Sequence, residues 1–221
     1  MSDTAQVINQ LAKGGAVSLL EIVSMTTGLP ISDRIGVRAF GKHLRLTYGS
    51  NEHRIQFDNA QSFPTVQQTA WLAESFDSQF DVVFIDPWHS IQDSLRLMKA
   101  GLRAVRPEGT LIIHDCHPLD PELRKATPES ALVPWCGETW KVWHHLTSFL
   151  SPVISWRTIN VDHGIGVLIK PRAKHLQRRL FKTIDRLSEQ PEVWRSLIEW
   201  QPNPSQLRLT DSVTVSDMMS A

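Results

Sequence analysis

Apolar and polar positions along the chain fall into a strand–helix–strand rhythm. Residues 80–86, FDVVFID, form an apolar run bounded by acids, the pattern of a central parallel strand buried on both faces. From Ser90 to Val105 the apolar residues Ile91, Leu95, Met98, Leu102 and Val105 recur four or three apart, which sets them on one face of a helix. Pro107 and Gly109 close that helix, and GTLIIHD at 109–115 is a second buried run. Strand, helix and strand joined by short turns make a right-handed parallel crossover, the building unit of an open α/β sheet.

The flanks extend the pattern. TAQVINQLAK at 4–13 suits a short amphipathic helix ended by Gly14-Gly15, and AVSLLEIV at 16–23 reads as a buried strand. DRIGVRA at 33–39 and HRIQF at 53–57 read as a second and a third short strand, and 65–76 as a helix with Val66, Ala70 and Ala73 on one face. Residues 116–137 are proline-rich without a period, which predicts a long loop or lid. A helix at 138–150 follows, then strands at 153–160 and 164–170 joined through VDH as an antiparallel hairpin. Residues 173–190 form an amphipathic helix with Leu176, Leu180, Ile184 and Leu187 inward, and Pro191 opens a second helix at 191–200. From Gln201 the chain is polar and unpatterned, a tail that is mobile or docked on a partner.

Composition narrows the function classes. Lys+Arg and Asp+Glu both number 23, so net charge argues for neither nucleic acid nor an anionic membrane as partner. No apolar run reaches the roughly 18 residues of a membrane span. Two cysteines, Cys116 and Cys136, form neither a disulfide framework nor a CxxC metal site; with no signal-peptide pattern, they predict free thiols in a cytoplasmic protein. Eight tryptophans stand against one tyrosine, and five fall between 135 and 194; core packing is the first explanation and a ring-stacking ligand the second.

In an open parallel sheet, ligands bind beyond the carboxyl ends of the strands. Asp86 and Asp115 sit at two such ends on consecutive strands, so PWH and CHP after them share one rim. Asp86, His89, Asp115 and His117 are therefore drawn toward one cavity. Carboxylates with imidazole can hold a divalent cation, and His89 can serve as a general base. The structural alternative is that Asp86 or Ser90 caps the following helix. His114, inside the strand end, reads as a structural histidine, and His163 as an exposed turn residue.

In this order, LLEIV, RIGV, FDVVFIDPWHSIQDSLRLMKAGLRAVRPEGTLIIHDC and CGETWK…VDHGIGVLI resemble bacterial class I S-adenosylmethionine-dependent methyltransferases over residues 16–170. The pattern is also similar to metal-dependent sugar O-methyltransferases, which carry D-x-x-H after strand four and an acidic pair after strand five. The resemblance implies a Rossmann-like α/β fold: a seven-stranded, mostly parallel sheet of order 3-2-1-4-5-7-6 with the last strand antiparallel. The domain is expected at 1–170, C-terminal helices at 171–200, and a tail at 201–221. It implies catalytic roles for Asp86, His89 and Asp115. It also implies Mg²⁺ or another divalent metal on Asp86 and Asp115, with His117 standing in for the second acid.

For the cofactor, S-adenosylmethionine, the resemblance points to Glu21, Gly28, Arg38 and Asp58. Two positions depart from the family. Val23 stands where the turn after strand one expects glycine, and Arg38 where strand two expects an acid for the ribose. An arginine cannot accept the ribose hydrogen bonds but can pair with a phosphate or carboxylate. Two readings follow. One is an O-methyltransferase acting on a sugar or small metabolite. The other is a catalytically degenerate relative that binds a ligand or serves as a partner subunit, with 173–200 as a surface for a second copy or another protein.

Overall fold

The computed structural model describes residues 4–12, 17–24, 40–49, 60–63, 65–125, 135–150, 152–189 and 207–210. Its strands are β1 (Ser18–Ser24), β2 (Lys42–Tyr48), β3 (Ala60–Phe63), β4 (Phe80–Asp86), β5 (Val105–Ile113), β6 (Trp156–Ile159), β7 (Ile165–Ile169) and β8 (Leu209–Thr210). They form one sheet of order β3-β2-β1-β4-β5-β7-β6-β8. The pairs from β3 to β5 are parallel, and β7 runs antiparallel to both β5 and β6. The expected seven-strand order is therefore present, with the two-residue β8 added in parallel along β6.

Side chains of successive strand residues alternate between two cores. On one face Leu20, Ile22, Val83, Ile85, Leu111 and Ile113 pack under α2 (Val66–Ser75), α3 (Ile91–Ala104), α4 (Thr139–Ser148) and α5 (Lys174–Glu189). On the other, Leu19, Val23, Val82, Phe84, Ile112 and Val167 pack with Ala5, Val7 and Ile8 of α1 (Thr4–Ala12). Helix α3 buries Ile91, Leu95, Met98 and Leu102 as its spacing predicts. Its N-cap is Ser90, whose side chain accepts from the Asp93 N–H, so capping makes no demand on Asp86. At its other end the buried Lys170 Nζ donates to the carbonyls of the cap residue Val105 (2.6 Å) and of Arg103 (3.4 Å), the second of which also accepts from the Ser78 N–H.

Several elements differ from the sequence expectation. Helix α3 stops at Ala104, and Val105 already pairs with Phe80; residues 106–109 then bulge out before Thr110 resumes the ladder opposite Val82. Pro107 cannot donate to a ladder and Glu108 has φ 66°, which together force the bulge. The expected strands 33–39 and 53–57 and the helix 191–200 lie outside the described residues. The strand beside β1 is β2 at 42–48, so the second strand of the sheet ends at Tyr48 rather than Arg38. Within the expected tail, Leu207 is buried and Arg208 stacks over the Trp156 ring at 4.8 Å. In the expected lid, residues 121–124 form a 3₁₀ turn capped by Asp120.

Gly101 is where α3 lies closest to the sheet: a Cβ there would meet Ile85 Cδ1 and Leu111 Cδ1, each at 2.8 Å. Gly101→Val is expected to destabilise the fold by about 1–3 kcal/mol through overpacking. Urea unfolding checks this, and an unchanged midpoint would mean that the helix moves away at no cost.

Candidate active site

Parallel pairing of β4 with β5 sets Ile85 opposite Ile113, so Asp86 and His114 leave the two strand ends side by side. Four side chains meet there. His89 Nε2 lies 2.8 Å from Asp115 Oδ2 and 3.8 Å from Asp86 Oδ1. His114 Nδ1 lies 3.2 Å from Asp115 Oδ1 and 3.6 Å from Asp86 Oδ1. The far nitrogen of the same ring, Nε2, is 3.4 Å from Asp162 Oδ2, in the β6–β7 turn. Thr4 Oγ1, at the start of α1, donates to that same Asp162 oxygen at 2.7 Å.

The backbone is bent to make this cluster. His89 (φ 32°), Asp115 (φ 59°) and Asp162 (φ 48°) all occupy the left-handed region. Such residues cost on the order of 1–3 kcal/mol each and concentrate at functional sites. Close backbone approach holds two of the bends. The Glu138 N–H donates to the His89 carbonyl at 2.7 Å, and a Cβ on Gly137 would stand 2.5 Å from His89 Cβ. The N–H groups of Cys116 and His117 donate to the carbonyls of Gly164 and His163, and a Cβ on Gly164 would stand 2.3 Å from the His117 nitrogen.

Electrostatics follow from burial. Asp115 is 2% exposed and His89 3%. Burial opposes charge on the Asp115 carboxyl, but His114 and His89 outweigh it and hold its pKa far below the usual carboxylate range. Asp86 is lowered for the same reason. Burial likewise opposes the His89 charge, yet Asp115 and Asp86 push its pKa up to about 9. His114 is raised well above its ordinary value by Asp115, Asp162 and Asp86 against its burial. The ligand-free cluster at neutral pH is thus a buried and a half-buried carboxylate held by two protonated imidazoles. The buried Cys136 thiol beside it is pushed up, first by burial and then by the Asp115 charge.

The predicted residues separate here. Asp86, His89 and Asp115 meet. His117 does not join them: its ring stacks on His144 of α4, with centroids 6.0 Å apart, because the left-handed Asp115 turns the chain toward that helix. Burial, with Arg124 nearby, lowers the His117 pKa, and His144 falls to about 3, chiefly through burial. Glu21 lies mid-strand, fully buried, its carboxylate 3.1 Å from Arg45 Nε and 3.3 Å from His43 Nε2 on β2. Val23 pairs in register with Asp86, and its side chain packs in the core beneath α1. Gly28, Arg38 and Asp58 lie outside the described residues. The sequence reads His114 as structural; the structure sets it in the cluster, paired with Asp162 of the VDH turn, whose contact with β5 local spacing does not reveal.

Two aromatic rings stand over the cluster. Trp135 meets the His89 ring edge-on at 5.0 Å and Trp88 at 5.4 Å, and Trp88 is partly exposed. The Trp88 N–H donates to Tyr48 Oη at 2.6 Å, tying the ends of β2 and β4 together across the end of β1.

Residues 25–116 match a family model described as a methyltransferase domain. The O-methyltransferase from Bacillus cereus in complex with SAH superposes with a TM-score of 0.51 at 18% identity, over 77% of this chain and 82% of that one. A Klebsiella pneumoniae structure assigned to the O-methyltransferases gives 0.52 at 15%, over 76% and 78%. The chain shares the Rossmann-like fold of these two methyltransferase structures. MycE from the mycinamycin pathway, solved with Mg, SAH and mycinamycin VI, gives 0.44 at 16% over 75% of this chain; the chain spans about half, 50%, of that protein. No curated protein matches the chain. Among the described residues no helix is long and apolar enough to cross a membrane.

The methyltransferase fold implies a nucleoside cofactor at the ends of β1, β2 and β4. At that rim Gly49 (φ 84°) follows β2 without a side chain, and a Cβ there would come no nearer than 4.0 Å to Ser24 Oγ at the end of β1, while the Tyr48 side chain reaches across to the Trp88 N–H. A divalent cation fits the cluster as well. Asp86 Oδ1, His114 Nδ1 and Asp115 Oδ1 lie within 4.8 Å of one another. Each is buried, at ion-pair distance from its neighbours but aligned for no hydrogen bond among the described residues.

His89 has a higher pKa folded, about 9, than its ordinary value of 6.5. Its pairing contributes fully below pH 6.5 and is lost as pH rises through 9, and His114 adds in the same direction. The His89 share of the unfolding free energy in chelator is expected to fall by about 3 kcal/mol from pH 6.5 to 9.5. His89→Gln should flatten that slope; an equal slope in the variant would remove His89 from the linkage.

Proposed function

We propose that the protein is an S-adenosylmethionine-dependent methyltransferase that methylates a hydroxyl of a sugar or small metabolite. The His89–Asp115 pair at the rim of neighbouring strands carries this reading, because O-methylation needs a positioned base. The methyl group leaves the sulfonium for the acceptor oxygen, S-adenosylhomocysteine forms, and the hydroxyl proton must go elsewhere. Asp115 holds His89 by Nε2, which leaves Nδ1, buried and without a hydrogen bond among the described residues, to take that proton once the ring is neutral. Asp86 and Asp115, with His114, would hold a divalent cation, which when bound supplies positive charge to lower the acceptor's pKa. The exposed indole of Trp88, packed edge-to-face on Trp135, offers an apolar ring against which a ring-shaped acceptor can lie.

Titration calorimetry with S-adenosylmethionine and S-adenosylhomocysteine tests the reading, with micromolar binding of both expected. Absence of heat from either, with or without divalent ions, would leave the ligand-binding or partner-subunit alternative. Across a panel of sugar and phenol acceptors followed by S-adenosylhomocysteine release, Asp115→Asn is expected to cut turnover roughly 10²–10⁴-fold, the range for a general base. Cofactor affinity should stay as it is. Undiminished turnover would take the dyad out of the chemistry.

A further inference from the structure

The three atoms that face one another in the cluster are not a set of hard oxygen donors. One is an imidazole nitrogen, His114 Nδ1, and it stands among the carboxylate oxygens of Asp86 and Asp115. A metal-binding histidine characteristically gives its other ring N–H to a carboxylate, which orients the ring and raises its basicity. His114 has that partner in Asp162, itself held by Thr4 and placed by a left-handed backbone. The imidazole is thus aimed from behind, from a different part of the fold, at the two carboxylates.

Although Asp86 and His114 are partly exposed, the facing atoms themselves are closed to water. Asp115 is 2% exposed. Mg²⁺ takes oxygen ligands in a near-ideal octahedron and retains several waters. Ions of the Zn²⁺ and Co²⁺ class accept mixed nitrogen and oxygen donors in small, closed coordination shells. We propose that Asp86, His114 and Asp115 form a site for such a borderline transition ion, that His114 sets this choice against Mg²⁺, and that Asp162 is the positioning residue behind it. This deepens the cation part of the proposed function and rests on it.

The test uses the full, untagged chain stripped with chelator and titrated with Zn²⁺, Co²⁺ and Mg²⁺ without cofactor. Almost any site binds Zn²⁺ above Mg²⁺, so the variants decide. Bound Co²⁺ is expected to give visible absorption bands characteristic of nitrogen ligation. His114→Asp should weaken Zn²⁺ and Co²⁺ at least tenfold and strengthen Mg²⁺. Asp162→Asn, which leaves all three ligands in place, should weaken Zn²⁺ roughly 10–100-fold with little change for Mg²⁺. Circular dichroism shows whether each variant is folded, and Asp162→Asn serves if His114→Asp is not. Zn²⁺ and Co²⁺ titrations that ignore both substitutions, or Mg²⁺ bound within tenfold of Zn²⁺ by the unaltered chain, would overturn the proposal. If no ion binds at all, the cation part of the function falls with it, while cofactor binding, measured separately, still stands or fails on its own.

Discussion

Two carboxylates set side by side at the shielded ends of adjacent strands cannot both stay ionised unless positive charge is placed against them. Asp86 and Asp115 are in that position, and much of the surrounding structure answers it. His89 reaches back from the turn after β4, and His114 comes from the end of β5 itself. Asp162 and Thr4, from the far hairpin and the first helix, secure the second imidazole. Remove the cations and one acid must take up a proton or the site must open. The cluster is therefore also a junction where α1, the β4 and β5 turns and the hairpin are tied together.

The bends that build this junction run against local preference. Non-glycine residues in the left-handed region are destabilising by themselves, and here they coincide with three of the charged groups. Packing on either side compensates. The ladder from β1 to β7 is continuous below the cluster, and the glycines at 137 and 164 let neighbouring backbone close on His89 and His117 without a clashing Cβ. A rigid sheet below and strained turns above hold reactive groups at fixed distances with little freedom to relax. That geometry serves proton transfer or ion binding better than it serves stability.

Much of the fold was legible in the sequence because its signals are local. The apolar runs at 80–86 and 109–115, the four-and-three spacing of α3 and the hairpin around VDH each depend on neighbours within one turn or strand. β2 escaped notice because KHLRLTY mixes charge with apolar residues. Its Arg45 is buried and pairs with Glu21 on β1. Ser90, not Asp86, caps α3, a distinction that hydrogen-bond geometry alone draws.

By itself the sequence determined the α/β crossover and the sharing of one rim by Asp86, His89 and Asp115, since strand ends in parallel register are necessarily neighbours. Tertiary structure alone decided which histidine joins them. His114 and His117 are three residues apart and alike in composition, and the left-handed turn at Asp115 sends them to opposite sides. One meets Asp162 from a distant hairpin and the other meets His144 of α4. Contacts between segments so far apart in the chain leave no period or motif to read. They come into being only when the sheet brings its carboxyl ends together.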